Sequence, residues 1–365
     1  MLLLMGGLHV SDELIIQSHK GSYAVNFNES LLDDVTELFE NTPHFLIDAN
    51  VARLYKIELA SVINHPKVIV IEATEENKSI ERVIPVIARL VANKARRGDT
   101  LVAIGGGIIQ DITCFIASTL LRGMAWRFVP TTLLAQADSC IGSKSSINLG
   151  ATKNILGTFN PPEKIHLCSK FLDTLDQKDI YSGVGEILKV HAIAGKETFD
   201  LLAATYDQLF TDRAVLRRYI GSALRIKQKY IELDEFDRGI RNIFNYGHSF
   251  GHAIESATNF GVPHGIAVAM GMDMANAIAS GRGLTSIETY QRMHGVLKKN
   301  YASYASANIQ TDALMTALMK DKKNTATQLV LILPIGNDAE IQRVEVVADE
   351  QFGDQCEVFL KALNK

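Results

Sequence analysis

The chain has 365 residues, 47% hydrophobic and 21% charged, which is ordinary for a globular protein with room for two domains. A net charge of −4 gives no general electrostatic case for nucleic acid or an anionic membrane, so basic groups serving an anionic ligand must be gathered locally. The opening MLLLMGGLHV is apolar but short and lacks the pattern of a signal peptide, no apolar run reaches membrane-spanning length, and Cys114, Cys140, Cys168 and Cys356 are scattered without a CxxC. These features lead us to expect a cytoplasmic protein with no membrane partner.

In chain order, HFLIDAN (44–50) is a short apolar run closing on Asp48 and Asn50. KVIVIEAT is β-branched, and ERVIPVIARLVANKA then carries helical apolar spacing. DTLVAIGGG (99–107) reads as a strand running into three glycines, and RFVPTTLLA follows a further helical stretch. Strand–helix alternation predicts a doubly wound parallel sheet, with ligands beyond the carboxyl ends of its strands. Glycines there let backbone approach a pyrophosphate at a helix N-terminus, although GGG is not the GxGxxG fingerprint and a plain tight turn has the same composition. Asp111 suits a first-turn dipole partner, Glu75 and Lys78 a solvated helix start, and Thr131–Thr132 a turn and N-cap pair. Thr131 and Thr132 could also hydrogen-bond a nucleotide.

QADSCIGSKSSINLGATKNILGTFNPP (136–162) is long, irregular and rich in small polar residues. Its lysines suit phosphate or carboxylate binding, and equally an ordinary solvated loop. Pro161–Pro162 marks the approach to a domain boundary, giving an α/β domain at 1–168 and a helical domain at 169–365.

DIYSGVGEILKVHAIAG, RAVLRRYIGSALRIKQKYIEL, GHSFGHAIESATNF and GIAVAMGMDMANAIAS all favour helix. Glu186 and Lys189 share a helix face in an apolar setting, where a charge needs a partner or a metal. His248 and His252 are four apart and also share a face; Ser249 stands where a zincin has glutamate. With His264 after a turn, Glu186 and His248 could converge as a catalytic zinc set, one carboxylate and two imidazoles, although spacing alone does not establish convergence.

GGGIIQDITCFIASTLLRG, VPTTLLAQADSCIGSKSSIN, KNILGTFNPP, SGVGEILK, DEFDRGIRNIFNYGHSFGHAIE, HGIAVAMGM and MKDKK together resemble the 3-dehydroquinate synthases of the sugar phosphate cyclase superfamily, over about residues 40 to 335. The resemblance implies an N-terminal α/β doubly wound NAD-binding domain, an all-α C-terminal metal domain and an active site in the cleft between them. It implies Glu186, His248 and His264 as ligands to zinc (or cobalt), with His252 turned to the substrate phosphate. Lys144, Asn154 and Lys323 match residues holding the phosphate or nearby substrate groups, and Arg122 matches an arginine reaching the phosphate from the partner of a homodimer. Lys189, Lys227, Arg241 and Asn245 match other substrate positions, with Arg241 suited to clamp a carboxylate through two parallel hydrogen bonds. Asp48, Glu75, Lys78, Gly106, Gly107, Asp111, Thr131, Thr132, Asp138, Ser139 and Lys153 match NAD-binding positions.

The implied reaction takes 3-deoxy-D-arabino-heptulosonate 7-phosphate to 3-dehydroquinate and phosphate, by transient oxidation with NAD, phosphate elimination and intramolecular aldol closure. Ser143, Ser145, Ser146, Cys168 and Ile266 depart from the usual pattern. Ile266 replaces a glutamate beside a metal histidine, which would remove a supporting contact. The departures leave open a sugar phosphate cyclase acting on sedoheptulose 7-phosphate or glucose 6-phosphate. An iron-type alcohol dehydrogenase, or a non-catalytic binding protein on the same fold, would also fit the two-domain plan. The Arg241–Asn245 pair favours a carboxylated substrate.

Overall fold

The computed structural model describes residues 13–150, 152–320 and 328–363. They form two compact units, Met1–Leu175 with Lys227–Phe236, and Asp176–Ile226 with Asp237–Lys365.

The first unit is built on a seven-stranded sheet of β1 (Glu13–Ile16), β2 (Tyr23–Phe27), β3 (Pro43–Asp48), β4 (Val68–Ile71), β5 (Thr100–Gly105), β6 (Ala125–Pro130) and β9 (Lys164–Leu167). Its order is β1-β2-β9-β6-β5-β3-β4, parallel except for the β1–β2 pair. β5 is buried along its whole length, as expected of a central parallel strand covered on both faces. The chain passes from β3 outward to β4, then returns across β3 to lay down β5. That reversal makes a topological switch point between β3 and β5, where doubly wound sheets open a crevice for ligands. Behind it, Phe45, Ile47, Val102, Ile104, Val129 and Phe171 pack in one buried cluster.

The stretch 136–162, read from the sequence as irregular, contains an antiparallel hairpin of β7 (Lys144–Leu149) and β8 (Thr152–Phe159). Its register slips between Ile147 and Leu149, so strict alternation fails there and the hydrophobic period is masked. The unit division, expected at 168/169, follows Leu175 instead. Phe171 sits in the first unit's core, edge-on to Tyr55 at 4.9 Å. Residues 227–236 also belong to this unit: Lys227 pairs with Asp138 at 2.6 Å, and Phe236 meets Phe159 edge-on at 5.0 Å.

His166 on β9 is fully buried, and neither ring nitrogen has a hydrogen-bond partner. Burial pushes its pKa down from 6.5 to about 4, helped by Lys164 and opposed by Glu37. The unfolded chain therefore binds the extra proton between those values. The neutral ring's stability is intact above pH 6.5 and is lost as pH falls towards 4. His166→Leu is expected to remove up to about 3 kcal/mol of this acid sensitivity. Urea unfolding of both proteins at neutral and mildly acidic pH checks it; equal slopes would refute it.

The second unit is helical, as the sequence predicts, with one antiparallel hairpin, Gln328–Ile335 with Glu340–Val347, added to the all-α expectation. The helix His264–Gly281 is apolar nearly all round and buried from Gly265 to Asn276, as a central helix must be. It packs against Gln177–Ile193, His248–Ala257 and Ile287–Tyr301. A Cβ on Gly265 would stand 1.8 Å from the Ser182 carbonyl oxygen, so only glycine permits this approach. The Gly265 N–H also donates to Ser182 Oγ at 2.9 Å. Gly265→Ala should force these helices apart, at more than the 1–3 kcal/mol typical of core overpacking. The melting temperature should fall accordingly; a variant that unfolds at the wild-type temperature would contradict the close packing. No helix of the described residues is long and apolar enough to cross a membrane.

Candidate active site

In the first unit, parallel register brings the ends of three strands to one edge. Ile47 pairs with Ile104, and Gly105 with Pro130, so Asp48, the glycines and Thr131–Thr132 gather at the switch point. Gly106 caps the helix Gly107–Thr119, whose first N–H groups face this edge. A Cβ on Gly106 would lie 2.9 Å from the Thr132 methyl, which accounts for glycine here. Asp48 accepts from the Asn50 N–H at 2.8 Å, and burial raises its pKa. Thr131 N–H donates to the Gly105 carbonyl at 2.9 Å, and Thr132 Oγ1 accepts from Ala135 N–H, so these threonines do serve as turn and cap.

The solvated helix start expected at Glu75 and Lys78 holds for the part-exposed Glu75 but not for Lys78. Lys78 is buried and donates to Asp111 Oδ2 at 3.0 Å, with Glu75 at 4.0 Å. Burial raises the Asp111 carboxyl, and Lys78 opposes the shift. Ser139 and Gln110 exchange two hydrogen bonds, of 2.7 and 2.6 Å. Lys227 holds both the Asp138 carbonyl and its carboxylate at 2.6 Å. Lys144, Lys153 and Asn154 are exposed on the β7–β8 hairpin. Arg122 is exposed on a turn in which Leu121, Arg122 and Gly123 all have positive φ (54°, 64° and 115°). Ser143 is buried with its hydroxyl unpartnered. Lys323 lies outside the described residues.

In the second unit, Glu186 Oε1 lies 3.3 Å from His264 Nε2 and 3.8 Å from His248 Nε2. Ligand atoms about 2.0–2.1 Å from one tetrahedral zinc ion are about 3.3 Å apart, so these donors fit a shared ion. His252 joins them: one nitrogen from each of His248, His252 and His264 falls within 4.8 Å of the others. Burial alone would raise the Glu186 carboxyl, but Lys189 at 2.5 Å, with His264 and His248, holds it well below the usual range. Burial and Lys189 depress His248, keeping it neutral as a ligand must be. For His264 burial is outweighed by Glu186 and Glu255, which raise it to about 10, so metal entry would expel a proton.

Glu255 escaped the sequence reading. Both its oxygens lie 3.3 Å from His264 Nδ1, the position of an outer carboxylate that orients a metal-binding imidazole. Its signal was present, since residues 248, 252 and 255 share one helix face. His264 thus has a carboxylate contact from another helix, and Ile266, where a glutamate was expected, is buried. Arg241 is buried on the turn Ile240–Asn245, and Asn245 donates to the Asn242 carbonyl at 3.0 Å.

The two halves match consecutive family models, 3-dehydroquinate synthase N-terminal over residues 68–182 and C-terminal over 183–324. A 3-dehydroquinate synthase of Alkaliphilus oremlandii is 33% identical over 363 residues, covering 94% of this chain and 99% of its own. The chain belongs to the 3-dehydroquinate synthase family. Among solved structures, the 2-epi-5-epi-valiolone synthase of Streptomyces hygroscopicus subsp. jinggangensis, with NAD+ and Zn2+ bound, superposes with TM-score 0.80 at 27% identity, covering 93% of this chain and 96% of its own. A 2-deoxy-scyllo-inosose synthase complexed with carbaglucose-6-phosphate, NAD+ and Co2+ shares the fold, with TM-score 0.79 at 22% identity over 96% of this chain and 99% of its own. The doubly wound first unit and helical second unit are therefore those of the 3-dehydroquinate synthase fold.

Proposed function

We propose that this protein is a 3-dehydroquinate synthase, a carbon–oxygen lyase taking 3-deoxy-D-arabino-heptulosonate 7-phosphate to 3-dehydroquinate and inorganic phosphate. The observation that carries this is the convergence of Glu186, His248, His252 and His264 in a chain 33% identical to a 3-dehydroquinate synthase over almost its whole length. Glu186, His248 and His264 would hold zinc or cobalt, with Glu255 fixing the His264 ring. Asp48, Glu75, Lys78, Asp111, Thr131, Thr132, Asp138, Ser139 and Lys153 would hold NAD, its pyrophosphate lying on the N–H groups of Gly106 and Gly107. When bound, NAD supplies a reversible hydride acceptor and the metal a Lewis acid for substrate oxygens.

The remaining roles belong to side chains. Arg241 offers a planar fork for the substrate carboxylate, and Asn245 a neighbouring amide. Lys144, Asn154, His252 and Lys323 hold the phosphate, stabilising charge as it leaves by β-elimination. Lys189 and Lys227 complete the substrate contacts, and Arg122 would serve the partner subunit of a homodimer. Four buried, unpaired cysteines support a reducing, cytoplasmic setting.

Phosphate release by zinc-loaded protein with NAD, compared across this keto acid, sedoheptulose 7-phosphate and glucose 6-phosphate, tests the substrate. Turnover of the keto acid alone is expected. Turnover confined to a neutral sugar phosphate would instead make it another sugar phosphate cyclase, with Ser143 and Ile266 marking the change.

A further inference from the structure

The β7–β8 hairpin alternates until Ile147, where the register slip turns the next side chain inward as well. That side chain is Asn148, only 5% exposed between two exposed lysine-bearing segments. Its amide nitrogen donates to the Glu75 carbonyl at 3.2 Å and to Glu75 Oε1 at 2.9 Å. Its amide oxygen accepts the Asn154 N–H at 2.9 Å. Asn154 has φ 54°, a left-handed conformation that asparagine tolerates better than most residues but still needs support. Backbone pairing of Ser79 with Asn148 and a Gly150 N–H contact to Glu81 Oε1 at 3.4 Å clasp the same two segments. Asp111 adds a parallel tie through the Ser146 N–H at 3.0 Å.

We propose that Asn148 is a positioning residue that locks the Glu75 loop to the Asn154 turn, so that cofactor-side and phosphate-side groups are set by one amide. The inference rests on the roles given above to Glu75 and Asn154. Only an amide satisfies both neighbours, because a carboxylate cannot donate to Glu75 and a hydroxyl is too short to span them.

The test uses the full-length, zinc-loaded protein and the two variants Asn148→Ala and Asn148→Asp. NAD affinity is read by calorimetry, and kcat and KM for the sugar phosphate at saturating NAD. Asn148→Ala should raise both the NAD Kd and the sugar phosphate KM by about tenfold. Asn148→Asp keeps the acceptor for Asn154 but sets a carboxylate against Glu75. It should therefore raise the NAD Kd at least as much, while KM stays within about threefold of wild type. That split is not expected of a merely structural residue, whose two variants would worsen both constants alike and in step with Tm. Equal losses in both variants, or an alanine variant within twofold of wild type in both constants, would overturn the proposal. Failure of wild-type protein to bind NAD or release phosphate would instead bring down the underlying reading, and is seen without any variant.

Discussion

Glu186→Gln is expected to abolish turnover, by at least about a thousandfold, and to leave the protein with far less than one zinc per chain. It should also destabilise the fold by about 3–5 kcal/mol, the usual result of stripping one partner from a buried ion pair. Glu186 and Lys189 are each almost completely buried and stand 2.5 Å apart on one helix. With the carboxylate gone, the buried Lys189 ammonium, 5.7 Å from the Phe244 ring centroid, loses the charge that Glu186 sets against it. Activity and stability can be separated because the two losses have different sources. Replacing both partners, as Glu186→Leu with Lys189→Met, should recover most of the stability, since a buried pair is often no better than apolar residues of similar size. It should recover no activity, because the metal's carboxylate is still missing. Urea unfolding, metal analysis and phosphate release on the same preparations check this. A double variant that turns over would remove Glu186 from the metal site.

Arg241→Lys is expected to lower kcat/KM for the keto acid by about 10²–10³, chiefly through KM, with zinc content and NAD affinity unchanged. The guanidinium is buried on a short turn, where a flat bidentate fork can be held in one orientation. A lysine keeps the charge but offers a single point donor, so the loss measures geometry and not charge alone. A neutral sugar phosphate has no carboxylate for that fork, and any slow turnover of it should be indifferent to the change. Steady-state kinetics with both substrates checks the prediction, and an equal fall for both would assign Arg241 elsewhere.

How much of this was legible beforehand depends on periodicity. β3 and β5 are continuous apolar runs, and their aspartate and glycine ends marked the carboxyl edge where ligands were expected, while the strand order that makes it a switch point came only with the fold. The helical stretches were legible as well, and Arg213–Leu233 has the same limits as the stretch read from the sequence. The β7–β8 hairpin did not, because its register slip puts Ile147 and Asn148 both inward and breaks the two-residue period. Asn148 was invisible for the same reason. The apolar setting of Glu186 and Lys189 already asked for a partner or a metal, and both side chains are buried. Glu255 had the right helical spacing, but nothing in the sequence says which way that face turns. The final residues of the first unit were misplaced because Phe171 belongs to a core assembled from strands far away in sequence.

NAD being used and regenerated while phosphate is expelled is what defines the proposed reaction. It is tested most directly by following inorganic phosphate and NADH together in one reaction of zinc-loaded protein, NAD and 3-deoxy-D-arabino-heptulosonate 7-phosphate. Phosphate rising in step with 3-dehydroquinate, with no accumulation of NADH, is the predicted result. NADH accumulating in proportion to substrate consumed, without phosphate, would make this a dehydrogenase on the same fold and contradict the account.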